Sequence, residues 1–264
     1  MSREVSRAYA TSSAAWARGP ERVYHRMAEA LVLHTSMPLS GRLVLDLGAG
    51  TGAVSRVAAA AGARVIAVDL ALEMLRHRRD QRAPALVADA VALPLRDSVI
   101  DVVISGFSVS HVPEPRRALD EARRVTRPGG AVMVAVFAGD GRRHPSREQI
   151  DGLAALRGYQ APAWHRRLKD VVEPLTASPT RLERLAGAAG LVDVGVSALS
   201  IDTGVHRPAD IVDYRLGMAH LAPFVAGLST DDAHALREEA LAAVGPTPEP
   251  VVADVLILSS RVAA

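Results

Sequence analysis

The stretch Val44-Leu-Asp-Leu-Gly-Ala-Gly-Thr-Gly52 constrains the fold of this chain more than any other. The apolar run Leu43 to Leu47 reads as a buried strand. Gly48, Gly50 and Gly52 follow at alternate positions, and an alanine-rich, helix-like segment runs from Ala53 to Ala61. Strand, glycine turn and helix form the layout that holds a nucleotide-like ligand at the carboxyl end of a parallel strand. Glycine serves there because a Cβ would keep the backbone off the ligand, and because such a turn can demand positive φ.

Two ligands satisfy these letters. Gly48, Gly50 and Ala53 fit the dinucleotide pattern G-x-G-x-x-G/A, and Asp69 lies at the expected distance of roughly 20 residues. S-adenosylmethionine (AdoMet) is the other. Asp46 stands two residues before the first glycine, where a carboxylate suits a cationic amino-acid ligand and repels a pyrophosphate. The third glycine falls at Gly52, and further stations follow in order along the chain. On these residues the sequence resembles the class I AdoMet-dependent methyltransferases, and most closely their small-molecule (type 11-like) branch. The resemblance is strong over about residues 40–137 and weak elsewhere.

At 264 residues and 49% hydrophobic, the chain can bury a full core. No apolar run approaches the roughly 20 residues that span a bilayer, and Met1 to Ala10 has no apolar core of a secretory signal. With no cysteine, disulfides, thiolate metal sites and a cysteine nucleophile are excluded. A cytoplasmic location is the expectation. The formal net charge is +2, and Lys169 is the sole lysine, so the cationic character is that of arginine; nucleic acid is not an expected partner. The Ala/Arg/Val/Leu usage suggests a GC-rich bacterial genome.

Strands are expected at Leu43–Leu47, Arg64–Asp69, Ala85–Ala88, Ile100–Ser105 and Ala131–Phe137, with helices at Pro20–Thr35, Ala71–Arg79 and Pro115–Val125 among them. This alternation predicts an α/β fold with a mostly parallel sheet and helices on both faces. After Gly139 the rhythm breaks, and four prolines among short helical patches read as an insert over 140–180. Arg181–Gly190, Ala209–Leu228 and Thr230–Val244 read as helices, and Leu191–Ile201 and Val251–Val262 as strands. The resemblance implies a Rossmann-like, doubly wound, seven-stranded sheet with its last strand antiparallel. The whole of 1–264 is then one domain: an N-terminal helical lid (1–39), a cofactor-binding core (40–139), a substrate-side helical insert (140–180) and the C-terminal part of the sheet (181–264).

Asp69 ends the second strand, where a carboxylate can accept both ribose hydroxyls; capping the next helix is the alternative. Leu70 and Met74 could flank an adenine ring. In look-alikes, an acid placed as Asp89 takes the adenine amino group and the backbone of the next residue, here Ala90, meets a ring nitrogen. Ser105-Gly106-Phe107 lies at the carboxyl edge of the fourth strand, with Phe107 either walling a sulfonium or packing the core. The expected cofactor set is thus Asp46, Gly48, Ala49, Gly50, Asp69, Leu70, Met74, Asp89, Ala90, Ser105 and Phe107. Arg127-Pro-Gly-Gly130 resembles the family's structural turn before the fifth strand.

Methyl transfer asks mainly for alignment of nucleophile, carbon and sulfur, with a base only for nucleophiles of high pKa. His111 is the candidate base, with packing or substrate contact as the alternative. Tyr9, Trp16, Tyr24 and His25 form a candidate lid, and the insert is expected to shape the substrate pocket, with Tyr159, Trp164 and His165 its notable residues. The basic segments Arg142-Arg143-His144 and His165 to Lys169 read first as a solvated face, and second as a surface for an acidic or phosphorylated substrate. No metal-ligand pattern is present.

The resemblance implies methyl transfer from AdoMet, leaving S-adenosylhomocysteine, to an oxygen, nitrogen or carbon of a small molecule, with secondary metabolism as the expected setting and a monomer or homodimer as the assembly. Two rivals stand: an NAD(P)-dependent oxidoreductase, for which a Tyr-x-x-x-Lys pair is missing, and a methyltransferase-fold protein that binds AdoMet without transferring methyl, as a pericyclase or binding protein.

Overall fold

The computed structural model describes residues 2–77, 79 and 83–264. In chain order the main elements are α1 (Ser2–Arg18), α2 (Pro20–Leu33), β1 (Leu43–Leu47), α3 (Ala53–Ala60), β2 (Arg64–Asp69), α4 (Leu72–Arg76), β3 (Ala85–Val87), β4 (Ile100–Gly106), α5 (Pro115–Val125), β5 (Thr126–Phe137), α6 (Ser146–Leu156), α7 (Ala163–Arg167), α8 (Pro179–Ala188), β6 (Val192–Asp202), α9 (Pro208–Leu216), α10 (Ala222–Ala226), α11 (Thr230–Val244) and β7 (Val252–Arg261). One seven-stranded sheet runs in the order β3-β2-β1-β4-β5-β7-β6. The first five strands pair in parallel, while β7 enters between β5 and β6, antiparallel to both. This is the Rossmann-like topology that the resemblance implies.

Strand alternation splits the core between the two sheet faces. Val44, Val102, Ile104 and Met133 pack on one face beneath α2, α3 and α9, and Leu45, Leu47, Val103 and Val132 on the other beneath α5 and α8. Central strands buried on both faces carry near-continuous apolar runs, which is why β1, β4 and β5 stand out in the sequence. Helix starts follow local chemistry: Pro115 opens α5, and the Ser178 and Ser229 hydroxyls accept the Arg181 and Asp232 backbone N–H groups at the starts of α8 and α11.

Two helices differ from expectation. The segment Ala71–Arg79 is helical only over Leu72–Arg76, and Arg78 lies outside the described residues. The helix expected over Ala209–Leu228 is two, α9 and α10, separated at Gly217. The break falls at a close crossing: a Cβ on Gly217 would sit 2.6 Å from Pro20 Cδ and 2.8 Å from the Ala15 carbonyl oxygen, so only glycine fits against the α1–α2 corner there. Arg127 to Gly130 bulges out of register, between the pairs Ile100–Thr126 and Val102–Ala131. Among the described residues no helix is long and apolar enough to cross a membrane.

The corner between α1 and α2 makes the same approach from its own side. Gly19 has an ordinary φ of −116°, yet a Cβ there would lie 2.0 Å from the Asp213 carbonyl oxygen of α9. Alanine is favoured over glycine by about 1 kcal/mol in a free helix. Here the clash is with backbone, so overpacking wins. Gly19→Ala is expected to destabilise the protein by about 1–3 kcal/mol in urea titration, and a stabilised variant would contradict this packing.

Candidate active site

The carboxyl ends of β1, β2, β3 and β4 converge on one edge of the sheet, and a cavity of about 1140 Å³, open mouth included, lies over them. Its floor is the glycine turn. Gly48, Gly50 and Gly52 all hold positive φ, at 74°, 53° and 90°. Gly48 is further restricted by proximity, since a Cβ would fall 2.1 Å from Ser108 Cβ. The Gly48 and Ala49 N–H groups both donate to the Val68 carbonyl, at 2.7 and 2.9 Å, tying the turn to β2.

Three carboxylates line this cavity, and no lysine or arginine does among the described residues. Asp46 is 1% exposed, and its Oδ2 accepts the Ser55 backbone N–H at 2.8 Å and the Ser55 hydroxyl at 2.6 Å. Asp46 therefore occupies the positive N-terminal end of α3, where a dinucleotide's pyrophosphate would otherwise be held. Asp69 accepts the Gly50 N–H on Oδ2 and the Ala71 N–H on Oδ1, both at 2.8 Å. Asp89 closes a short turn by accepting the Val91 N–H at 3.2 Å, and Ala90 follows it into the lining. Leu70 and Met74 lie on the same side of the cavity.

The lid side is aromatic. Ring centroids run from Tyr9 to Trp16 (5.2 Å), Trp16 to Tyr24 (4.8 Å), Tyr24 to Phe107 (5.3 Å) and Phe107 to Phe137 (4.7 Å). Tyr9, Trp16, Tyr24 and Phe107 all line the cavity. Phe107 adopts a φ of 65°, a left-handed conformation that costs a bulky residue energy and aims the chain from β4 back over the cavity. Its N–H is held by Ala135 at 2.9 Å. Its carbonyl accepts from His111 Nδ1 at 2.7 Å. A carbonyl only accepts, so Nδ1 carries the imidazole proton and Nε2 presents its lone pair. The Tyr9 hydroxyl donates to that Nε2 at 3.3 Å, closing α1 onto the site. Burial lowers the His111 pKa from 6.5 and raises that of Tyr9, so the pair is held neutral.

Three expected residues stand elsewhere. Ser105 is fully buried behind the cavity wall: on a strand, alternate side chains face opposite ways, and its hydroxyl donates to Ser108 Oγ at 2.6 Å. Ser108, not Ser105, lines the cavity, and its hydroxyl donates to the Leu47 carbonyl at 2.7 Å. His25 lies one helical step, about 100°, around from Tyr24 and faces Glu29 at 3.6 Å, with its side chain 40% exposed. Trp164 lines neither this cavity nor the next, while His165 beside it does line the second. Among the described residues no cluster of metal-ligating side chains occurs.

The second cavity lies behind Ser110 and Phe137, between the insert, α9 and the start of β7. Sequence reasoning singled out Tyr159, His165, Lys169 and Arg142 to His144 of the insert but missed Arg147, Arg215 and His220. Arg215 is 7% exposed and holds Asp151 through two bonds of 2.6 Å. His220 stacks on His165 with centroids 3.9 Å apart and pairs through Nδ1 with the Tyr159 hydroxyl at 2.7 Å. Arg143, His144, Arg147 and Lys169 also line it, so part of the basic sequence forms an interior wall; Arg166 and Arg167 remain exposed.

Comparison with known proteins agrees with this geometry. Residues 45–134 match the family model described as a methyltransferase domain. The chain is similar to demethylmenaquinone methyltransferase of Clavibacter sepedonicus, 36% identical over 140 residues, which is 51% of this chain and 56% of that protein. It is also similar to malonyl-[acyl-carrier protein] O-methyltransferase of Pectobacterium atrosepticum, 45% identical over 101 residues, covering 38% of this chain and 40% of that one. The chain spans about half the length of the curated relatives it matches. Among solved structures, Haemonchus contortus phosphoethanolamine N-methyltransferase 2, in complex with phosphomonomethylethanolamine and S-adenosylhomocysteine, superposes with a TM-score of 0.52. That match covers 90% of this chain and 52% of the other at 18% identity, a likeness of fold alone. The matched segment, residues 45–134, runs from the first strand to the fifth, the part of the fold that builds the cavity, and over that segment the chain matches a methyltransferase domain.

Proposed function

We propose that the protein binds AdoMet in the first cavity and transfers its methyl group to an oxygen, nitrogen or carbon of a small molecule. The observation that carries this reading is the sign of the cavity: Asp46, Asp69 and Asp89 line it without a basic side chain among the described residues. Such a surface suits a cationic ligand and opposes a pyrophosphate, whose helix-end site Asp46 already fills. Asp69 is held rigid by two backbone N–H groups, and each carboxylate oxygen has lone pairs for a second donor, so it can also accept ribose hydroxyls. Asp89 and Ala90 suit an adenine edge, with Leu70 and Met74 against the ring face.

Bound there, AdoMet supplies an electrophilic methyl group on a sulfonium. The chain's own part is to align and to exclude water. Tyr9, Trp16 and Tyr24 cover the cavity, and the face of Phe107 suits a cation. His111 holds its proton at Nδ1 and keeps Nε2 free to accept one from an acceptor hydroxyl or amine once Tyr9 yields that position. Burial also keeps the two nearby imidazoles neutral, with pKa pushed down to about 3 in His165 and about 2 in His220.

Calorimetric titration with AdoMet, S-adenosylhomocysteine and NADH tests the cofactor. The two adenosyl-sulfur ligands are expected to bind, NADH not, and Asp69→Ala to weaken binding by at least about tenfold, about 1.4 kcal/mol. Binding of NADH in their place overturns the reading. The buried histidines give a second expectation. An unfolded chain protonates them below about pH 6.5, while the folded protein does not, so the unfolded state binds more protons and stability falls with acid. Between about pH 6.5 and 5 carboxylates stay ionised in both states, so the loss there belongs to histidine. The urea midpoint should drop across that interval and drop less in His220→Gln; a flat profile would contradict neutral burial.

A further inference from the structure

We propose that the second cavity binds the methyl acceptor through an anionic group, a carboxylate or a phosphate, held by Arg147. This rests on the reading that AdoMet occupies the first cavity. The two cavities adjoin: Phe137 and Ser110 line the second, and Phe107 and His111, which contact or neighbour them, line the first.

The charges of the second cavity do not cancel. Lys169 is matched by Glu173 at 2.7 Å, Arg142 by Asp254 at 3.3 Å and Arg215 by Asp151 at 2.6 Å. Glu173 and Asp254 are the acids that line the cavity, and both are thereby engaged. Arg143 and Arg147 are left over. Arg143 is exposed, and water satisfies it. Arg147 is half-buried, and among the described residues its guanidinium makes no hydrogen bond and no ion pair. Withdrawing such a group from water without a partner is unfavourable, and a carboxylate or phosphate reverses the sign, because the planar fork binds either in two-pronged fashion. Burial and the neighbouring Arg215 and Arg143 weaken its hold on its proton, consistent with a surplus of positive charge around it.

Val23, Ile150, Ile211 and Met218 supply an apolar lining beside this charge. The acceptor class is therefore a small molecule with an apolar body and one anionic group. The donor cavity is acidic and the acceptor cavity basic, so each opposes entry of the other's ligand.

The test titrates protein loaded with S-adenosylhomocysteine, and in parallel the unloaded protein, with benzoate, phenyl phosphate and uncharged benzamide. Protein NMR follows the signals of residues that line the second cavity. At least one of the two anions should bind about tenfold or more tightly than benzamide, and should weaken as salt rises. Which anion binds better separates carboxylate from phosphate recognition. Arg147→Gln should remove the preference, Arg147→Lys should keep part of it, and both should bind S-adenosylhomocysteine like the parent. Benzamide binding as well as the anions, no binding by either anion, or an unchanged preference in Arg147→Gln overturns the proposal. Failure of S-adenosylhomocysteine to bind would instead strike the cofactor reading, and the unloaded titration still decides the anion site.

Discussion

One carboxylate joins the two loops on which the cavity is built. Asp69, at the end of β2, takes the Gly50 N–H of the glycine turn on one oxygen and the Ala71 N–H before α4 on the other, each at 2.8 Å. The parallel register brings Leu47 beside Val68, so the two strand ends already lie side by side. The carboxylate then converts that adjacency into a fixed distance between turns. Helix α1 inherits this position, because its Ser6 hydroxyl donates to the Leu70 carbonyl at 3.0 Å and its Trp16 packs on Ala71 and Met74. Charge-assisted bonds from a carboxylate to backbone N–H groups are among the stronger anchors a loop can have.

From this frame follows a division of charge. The first cavity presents aspartates, and the second presents guanidinium and ammonium groups from the insert and α9. Phe107, Phe137 and His111 stand between them. In the proposed reaction a methyl acceptor approaching a sulfonium needs alignment more than activation, and adjoining cavities of opposite sign would orient the two ligands toward each other. The neutral state of His111 fits the same logic, since an imidazolium facing the acidic cavity would compete with a cationic ligand.

Most of the core was legible because its physics is local. Buried parallel strands must be apolar, and a turn with positive φ at three alternate positions selects glycine, so Leu43 to Gly52 made legible both the strand and the glycine turn that floors the cavity. Phe107 carries no such signal, since a phenylalanine at a φ of 65° is imposed by Ala135 and by packing. Ser105 was misplaced because proximity along the chain ignores the alternation of a strand, which turns Ser105 away from the cavity face of Gly106, while Ser108, past the strand's end, reaches the cavity. The second cavity was hardest to read. Arg215 meets Asp151 from 64 residues away and His220 meets Tyr159 from 61, so no local window contains either pair. Even the basic run was only half legible: His165 and Lys169, four apart on one helical face, turn inward, while Arg166 and Arg167 face water.

The most direct measurement is a crystal structure of the protein with S-adenosylhomocysteine. The account predicts the ribose hydroxyls within hydrogen-bond distance of Asp69, the adenine beside Asp89 and Ala90, and the sulfur directed toward Phe107 and His111. A ligand seated in the basic cavity, or a ribose held away from Asp69, would contradict it.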